Sequence, residues 1–429
     1  MLQGLALGAL GGPALIETLA ACGSQTPGGT PVASTPPATS GGAVASSGSP
    51  TAASSPSGGL QIASPDNPIT WPIYDDNPVL GDNMQPEQNA TLRLYNYADY
   101  IDPGAIKSFE NKYKAANVKV QVSTFNDTDE ALTKIRSGKV PFDIYFPSYD
   151  QISKMVTAKL IRPLNHSYIP NIKNVWPAFT NPWYDGNWQY TIPYTVYTTG
   201  IGWRTDKATV DPSTLDNPYD ALWNPKSTRA AVIDDWHTAM AMVLLREGKG
   251  AQINSSDPAV IKDVQDGLAA MQKATHPKVT ITMYNDLPAG QLSVCQMWSG
   301  DVVNAISYLP KGTPPSVLGY WFPPDGRGAV DNDLNVILKG GKNPVLAHLF
   351  LNHMLDTNVA LGNFSQTGYQ PPQNSLDVDK IVSDGYLTSN LSTAVVKPEY
   401  FTEGYRLLEL PPAGDAAWHQ VWTRFKAGA

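Results

Sequence analysis

Cysteine is scarce in this sequence. Cys22 and Cys295 are the two cysteines among 429 residues, and two such residues do not form a disulfide framework. Cys295 lies in the apolar, strand-like run LSVCQMW, so we expect a small buried core residue. The sequence also lacks C-x-x-C and H-E-x-x-H motifs, and its six histidines are scattered. It therefore predicts neither a built-in metal site nor a cofactor.

Clusters of basic residues are absent too. The chain has 30 Lys and Arg against 38 Asp and Glu, a net charge of −8, which argues against nucleic-acid binding. No G-x-G-x-x-G, phosphate-binding loop or G-x-S-x-G motif occurs. Nothing nominates a nucleophile, a base and an oxyanion hole together. A glycosidase stays open, because its two carboxylates can lie far apart in sequence.

The chain is long and apolar enough for a large core. It has 429 residues, of which 42% are hydrophobic and 10% aromatic. A single core rarely grows to that size, so the length predicts two lobes.

The first residues form an apolar segment that is too short to span a bilayer. It ends in LAAC at Cys22, followed by Gly23 and Ser24, and this ending resembles the lipobox of bacterial lipoproteins. The resemblance implies that residues 1–22 are a lipoprotein signal and that a lipid is attached to Cys22. No Lys or Arg precedes Cys22.

Residues 23–65 are almost entirely Ser, Thr, Gly, Pro and Ala. This composition buries too little apolar surface to offset the entropy of ordering the chain. We expect a disordered tether that holds a folded domain at a membrane surface.

From Thr91 onward, predicted strands and helices alternate, which indicates an α/β fold with a mostly parallel sheet. The predicted strands are 91–97, 118–125, 142–148, 188–204 as two extended pieces, 229–235, 278–284, 292–298 and 333–341. The predicted helices begin after Asp102, cover 127–138, 150–161, 236–248 and 257–274, then 299–309, two helices within 343–368, and 415–428.

Aromatic and acidic residues recur where predicted strands end. They are Tyr97, Asp99 and Tyr100; Ser148, Tyr149 and Asp150; Asp234, Asp235 and Trp236; Trp298, Ser299 and Asp301; and, before the last strand, Asp331, Asn332 and Asp333. Ligands of open α/β sheets bind beyond the carboxyl ends of the strands. Aromatic faces and carboxylates together favour a ligand with ammonium groups and an aliphatic body. Each residue also has a plain structural explanation, as a helix N-cap or a core edge.

The order of motifs resembles that of bacterial spermidine/putrescine-binding proteins, the polyamine branch of the extracellular solute-binding proteins of ABC transporters. The motifs are LRLYNYADYIDPGAIKSFE, FDIYFPSYDQISKMVTAKLI, YTIPYTVYTTGIGWRTD, DNPYDALWNP, VCQMWSGDVV, DLNVIL and GYQPPQN. The resemblance implies a two-lobe type II periplasmic-binding-protein fold with two crossing hinge strands and an interlobe cleft. Lobe 1 is then 90–196 plus 331–376, and lobe 2 is 197–330 plus 377–429. The crossings fall near Tyr194–Tyr197 and Asp331.

The resemblance also implies a ligand-binding pocket. Six residues match its polyamine pocket in type: Tyr97, Tyr100, Ser148, Asp235, Trp298 and Tyr369. Four positions depart from it, since the family has an aromatic at Asp150, a Glu at Thr238, a Trp near Val330 and an Asp near Asn332. Further candidates to meet the ligand are Asp99, Tyr149, Asp150, Thr238, Asp301, Asp331, Asn332 and Glu409.

The predicted function is that of a receptor without enzymatic activity. The resemblance implies a monomer, lipid-anchored outside the cytoplasm at Cys22, that captures a polyamine-like cation and delivers it to an ABC permease. Three alternatives stay open: a receptor for a different small ligand, an extracellular carbohydrate-active hydrolase, and a surface adhesion or sensor lipoprotein without a transporter.

Overall fold

The computed structural model describes residues 61–125, 128–376 and 378–428. The predicted signal segment with Cys22, and the predicted tether up to residue 60, lie outside the described residues. The last predicted tether residues do not fit that prediction. Ala63 is buried and packs in a core cluster with Trp71, and Ser64 forms a β-bridge with Asn67. Trp71 also donates from Nε1 to the carbonyl of Tyr184 at 2.8 Å. The folded chain therefore begins before residue 65.

Nine strands form one mixed sheet. They are β1 Thr91–Tyr97, β2 Lys119–Phe125, β3 Ile144–Tyr145, β4 Thr191–Arg204, β5 Ala230–Ile233, β6 Lys278–Thr280, β7 Val294–Trp298, β8 Leu318–Trp321 and β9 Ala329–Ile337. The strand order is β2-β1-β3-β9-β4-β7-β5-β6, and β8 pairs with β4 beside this path.

Twelve α-helices are described around the sheet. They are α1 Pro103–Lys112, α2 Thr128–Ser137, α3 Ile152–Thr157, α4 Trp236–Arg246, α5 Pro258–Thr275, α6 Met283–Asp286, α7 Ser299–Asn304, α8 Pro344–Met354, α9 Thr357–Thr367, α10 Val378–Ser383, α11 Tyr400–Glu403 and α12 Pro412–Lys426. Short 3-10 turns connect them, concentrated between Tyr149 and Trp188. None of the helices in the described part of the chain is both long and apolar enough to span a bilayer.

Local sequence signals place several helix starts correctly. Asp102 accepts hydrogen bonds from the backbone of Gly104 and Ala105 and so caps α1, with Pro103 at the first helical position. Asp257 caps α5 in the same way. The predicted end of the two consecutive helices at Gly368 is confirmed, because this glycine takes the left-handed conformation with φ of +76°.

Two strands, β4 and β9, connect the two ends of the sheet. They pair antiparallel from Thr191 to Thr199, and Tyr197 lies opposite Asp331. The C-terminal part of β4 pairs with β7 and β8, and the C-terminal end of β9 pairs with β3. Both long strands are buried along almost their whole length, as expected for strands that are covered on both faces.

Some predicted elements have other bounds in the structure. The predicted strand at 142–148 is reduced to β3 in the structure. Before it, the side chain of Phe142 packs in a core cluster, and the side chain of Asp143 accepts hydrogen bonds from the backbone N–H groups of Arg93 and Asn343. The predicted helix at 150–161 begins as a 3-10 turn and reaches only Thr157. The two extended pieces within 188–204 are one strand, β4, with a bulge between Pro193 and Thr195. β8 is not predicted, since its four residues carry no clear alternation.

The helices form two groups. α4, α5 and α12 pack on one another, with Trp418 of α12 fully buried between them. α1, α8 and α9 form another group against β1 and its neighbours. Cys295 is fully buried in the core, as predicted. The lobe boundaries given above stay a prediction.

Candidate ligand-binding site

A cavity of about 590 Å³ opens where strands end and where β4 and β9 cross. Thirteen of the fourteen residues predicted to meet the ligand line it: Tyr97, Asp99, Tyr100, Ser148, Tyr149, Asp150, Asp235, Thr238, Trp298, Asp301, Asp331, Tyr369 and Glu409. The ends of β1, β5 and β7, the turn after β3 and the middle of β9 supply most of these side chains. The α/β topology therefore brings together residues up to 272 positions apart in the chain, from Tyr97 to Tyr369.

Asn332 is the predicted site residue that does not reach the cavity. It is fully buried, donates from Nδ2 to the hydroxyl of Tyr184 at 3.2 Å and accepts from Arg406. Side chains on a strand alternate between its two faces, so Asp331 and Asp333 face the cavity and Asn332 faces away. The expectation that Asn332 lines the cavity is wrong for this reason.

Aromatic rings form a continuous wall of the cavity. Tyr100 makes edge contacts with Tyr97, at 5.8 Å between ring centroids, and with Tyr369, at 4.7 Å. Tyr197 continues the wall to Trp298 and Tyr369, at 6.3 and 5.9 Å. Ring faces of this kind cover aliphatic carbon and attract cations.

Asp333 lies against this wall. Its two carboxylate oxygens accept hydrogen bonds from the hydroxyls of Tyr100, at 2.7 Å, and Tyr197, at 3.2 Å. Burial raises the pKa of Asp333 to about 7, and the charges of Asp331 and Asp150 add to this effect, although both hydroxyl bonds oppose it. A cation bound beside Asp333 would restore its ionised form.

Asp301 is a second buried carboxyl group. Its Oδ1 accepts from the hydroxyl of Tyr369 at 2.8 Å, whereas its buried Oδ2 has no hydrogen-bond partner among the described residues. Burial raises its pKa to about 7. Gly300 permits this arrangement, because a Cβ at that position would lie 2.4 Å from the Tyr369 ring.

Asp331 differs from Asp301 and Asp333 because an arginine lies beside it. The Nε atom of Arg406 lies 3.7 Å from its Oδ1, and the hydroxyl of Tyr149 donates to the same oxygen. Arg406 itself stacks over the rings of Tyr149 and Phe401, at 4.3 and 4.8 Å. Burial nevertheless raises the pKa of Asp331, with Arg406 opposing the shift.

A further acidic group lies towards α12. The hydroxyl of Ser148 donates to Asp150, whose pKa is raised by burial to about 6. Burial raises the pKa of Glu409 to about 7, against the opposing effects of Ser153 and Lys154. The Nζ atom of Lys154 is 4.0 Å from Glu409 Oε1, at the limit of an ion pair.

Asp235, Thr238 and Asp99 lie at the rim of the cavity. Asp235 caps α4 by accepting from the backbone N–H of Thr238 at 2.8 Å, so its predicted N-cap role and its place in the cavity coexist. Asp99 is exposed, has a φ of +54° and accepts from the hydroxyl of Tyr284 at 3.5 Å.

The charge of the cavity lining is strongly one-sided. Ten carboxylates line it: Asp99, Asp129, Asp150, Asp234, Asp235, Asp301, Asp331, Asp333, Glu409 and Asp415. Two lysines, Lys154 and Lys426, accompany them among the described lining residues. The cavity therefore has a negative potential that suits a cation. No group of His, Cys, Asp and Glu that could hold a metal ion is found in the described ranges.

Sequence patterns miss some of the important groups. Asp333 and Tyr197 line the cavity, although the sequence names Asp333 only among the acids at strand ends, outside the list of ligand-binding residues, and places Tyr197 at the hinge. Strand alternation is the signal that identifies Asp333, since it shares the face of Asp331. Lys154 and Arg406 have no such signal, because only the packing of distant segments brings them to these acids.

The fold defines a two-lobe α/β protein of the binding-protein type, and this cavity lies beside its two long strands, β4 and β9. More specifically, the chain belongs to the family described as bacterial extracellular solute-binding protein, whose model matches residues 104–386. The predicted family and the two-lobe type II fold are confirmed.

Two curated relatives and one solved structure illustrate the similarity. Spermidine/putrescine-binding periplasmic protein 1 of Haemophilus influenzae is 27% identical over 78% of this chain and 84% of its own. The putrescine-binding periplasmic protein PotF of Escherichia coli is 25% identical over 80% of this chain and 92% of its own. A structure of the spermidine/putrescine ABC transporter substrate-binding protein PotD from Streptococcus pneumoniae superposes with a TM-score of 0.63 at 24% identity, covering 79% and 99% of the chains. All three are named as binding or transport proteins.

Proposed function

We propose that the protein is the solute receptor of an ABC importer and captures a polyamine-like cation in the cavity between its lobes. The observation that carries this proposal is the excess of carboxylates over lysines around an aromatic-walled cavity. Buried carboxylates without counter-charges are costly for a protein to keep, and a multiply charged cation removes that cost.

Different side chains contact the aliphatic carbons and the ammonium groups of such a ligand. Tyr97, Tyr100, Trp298 and Tyr369 cover its aliphatic carbons and contact its ammonium groups through their ring faces. Asp301 and Asp333 accept hydrogen bonds from ammonium N–H groups, and Asp235 adds charge at the rim. The relatives named for spermidine and putrescine support this assignment.

Two positions where the family pattern has an acid do not supply one to this cavity, and two neighbouring acids supply carboxylates instead. Thr238 stands where the family has a Glu, and Asn332 faces away from the cavity. Asp333 and Asp150 supply carboxylates nearby. The site keeps its negative charge although individual positions have changed.

We further propose that the receptor works outside the cytoplasm as a monomer, anchored by a lipid on Cys22, and passes its ligand to a permease. The lipobox-like LAAC and the polar segment after it support this anchor. Replacing Cys22 by Ser should move the protein from the membrane fraction to the soluble fraction. Unchanged membrane association would contradict the anchor and leave the receptor function unaffected.

A thermal-shift screen of the purified protein tests the ligand class. The panel holds putrescine, spermidine, spermine, basic amino acids, simple sugars and anions. A ligand that binds the folded state alone raises the melting temperature as its concentration increases. We expect shifts with the polyamines and none with sugars or anions. A shift with sugars, or with none of these compounds, would refute the polyamine assignment.

A further inference from the structure

Glu409 is a buried carboxylate without a hydrogen-bond partner. Its side chain is 3% exposed, and neither carboxylate oxygen has a hydrogen bond of acceptable geometry among the described residues, although Ser153 and Lys154 lie near enough to lower its pKa. It nevertheless lines the cavity, at the end where the segment Leu407–Leu410 meets α12. A buried acid in this condition costs the folded protein free energy, so its retention calls for a partner from outside the chain.

Lys154 does not fill that role. The contact of its Nζ atom with Glu409 Oε1 is 4.0 Å long, and a third of its side chain is exposed. That distance exceeds a charge-assisted hydrogen bond, for which 2.7–2.9 Å is the usual N–O range. Both oxygens of Glu409 thus stay available to a ligand donor that enters the cavity.

Glu409 also lies apart from the other unpartnered acid of the cavity. Asp301 is bonded to Tyr369 within the aromatic wall, and no charge of Glu409 perturbs it. Glu409 has Asp150, Asp415 and Lys154 as its charged neighbours. Between the two, Tyr100 contacts the Tyr369 ring and donates to Asp333. Ser148 in turn forms a β-bridge with Asp333 and donates from its hydroxyl to Asp150. The acids therefore form a series along the cavity: Asp301, Asp333, Asp150 and Glu409.

We infer that Glu409 binds the third ammonium group of a triamine and thereby selects triamines over diamines. This inference depends on the proposed function, since it assigns one more ammonium site to the same cavity. The two ammonium groups of a diamine bind to Asp301 and Asp333, the acids beside the aromatic wall. A triamine of the same backbone extends past Asp150 and places its last ammonium against both free oxygens of Glu409.

Calorimetric titration of putrescine and spermidine into the full chain and into Glu409→Gln tests this assignment. Gln keeps the volume of Glu and removes its charge. We expect the variant to lose at least tenfold in spermidine affinity and to bind putrescine within twofold of the unchanged protein. The melting temperature of the ligand-free variant should not fall, because an uncompensated buried charge has been removed.

Two control variants sharpen the result. Glu399→Gln makes the same chemical change at an exposed position outside the cavity lining and should leave both affinities unchanged. Lys154→Gln removes a positive charge beside Glu409 and should raise spermidine affinity, the opposite sign to Glu409→Gln. A fall in spermidine affinity with Lys154→Gln would show that the positive charge of Lys154 does not repel an ammonium group bound at Glu409, and it would contradict the inference.

Three outcomes decide between this inference and the proposed function. An equal loss for both amines in Glu409→Gln would mean that a diamine already reaches Glu409, which overturns the selectivity. An unchanged spermidine affinity would overturn the contact itself. If the unchanged protein binds neither amine, the proposed function fails first, and that failure is seen before any variant is made.

Discussion

At the residue scale, Asp333 shows how the cavity prepares a carboxylate for a cation. Two tyrosine hydroxyls fix its orientation, while burial holds its pKa far above the ordinary value. The charge is thus available in a fixed place, but it is unfavourable until a cation arrives.

We expect Asp333→Asn to lower polyamine affinity about 30-fold or more, because removing one partner of a buried charge contact costs about 2 kcal/mol or more. Calorimetric titration measures the loss. Asp325→Asn is the matched control, since Asp325 is exposed and lies outside the cavity lining. Equal affinities for Asp333→Asn and the unchanged protein would place the ligand elsewhere.

Arg406 is a buried cation that lies outside the cavity lining. Its positive charge lies beside the carboxylate of Asp331, and its guanidinium group stacks over the ring of Tyr149. It also donates a hydrogen bond to the side chain of Asn332 in β9. Its removal leaves Asp331 as an unpaired buried charge.

Arg406→Met should therefore lower the free energy of unfolding by about 3–5 kcal/mol, the usual cost of breaking a buried pair from one side. Urea denaturation measures this change. The double variant Arg406→Met, Asp331→Asn should recover part of the loss, because no unpaired charge stays behind. A double variant less stable than Arg406→Met would show that Asp331 does not depend on Arg406.

At the scale of elements, helix starts link local sequence to the site. Asp235 caps α4 at the rim of the cavity, whereas Asp257 caps α5 at an exposed position away from it. The two residues have the same local role in different surroundings, so they separate capping from ligand binding.

Asp235→Asn should keep its cap, since Asn caps helices as well as Asp, and should lower cation affinity about tenfold through the lost charge. Asp257→Ala should instead lower stability by about 1 kcal/mol and leave affinity unchanged. Thermal melts and titrations of both variants distinguish the effects. A loss of stability without loss of affinity in Asp235→Asn would reduce Asp235 to a cap.

Local sequence patterns predict the bounds of some strands well and those of others poorly. β1 matches its predicted bounds, because its apolar residues Leu92, Leu94 and Tyr95 are buried and Asp102 ends the connection to α1. β3 has two residues, because the chain on either side of it is held by contacts with distant segments such as Lys342 and Asn343. Short elements of this kind depend on their neighbours more than on propensity.

At the scale of the whole molecule, the cavity acids couple ligand binding to protons. The pKa is raised to about 6 for Asp150 and to about 7 for Asp301, Asp333 and Glu409. These groups are mostly neutral at pH 5 and mostly ionised at pH 8. Polyamine affinity should therefore rise between pH 5 and pH 8, and binding at pH 6 should release protons.

Titration calorimetry at pH 6 in two buffers of different ionisation enthalpy measures those protons. A heat of binding that is equal in both buffers would contradict the coupling.

The stability of the ligand-free protein should change in the opposite direction. The folded state keeps these four acids protonated at pH values where the unfolded chain, with ordinary carboxyl pKa values near 4, has lost the protons. The folded state thus binds more protons between about pH 4 and pH 7, and their contribution to stability falls as pH rises through that window. Melting curves with and without spermidine should diverge as pH rises; parallel curves would contradict the prediction.

The sequence alone determined the α/β class, the helix caps, the buried Cys295 and most residues of the cavity. These features depend on periodicity, on capping chemistry and on motifs at strand ends, all of which are local. Tertiary structure decided the rest. The turning of Asn332 away from the cavity, the position of Asp333 between two tyrosines, and the pairing of Arg406 with Asp331 depend on the register of β4 with β9 and on the return of the C-terminal segment. Such contacts join residues far apart in the chain, so only the folded arrangement fixes which carboxylates stay free to meet a ligand.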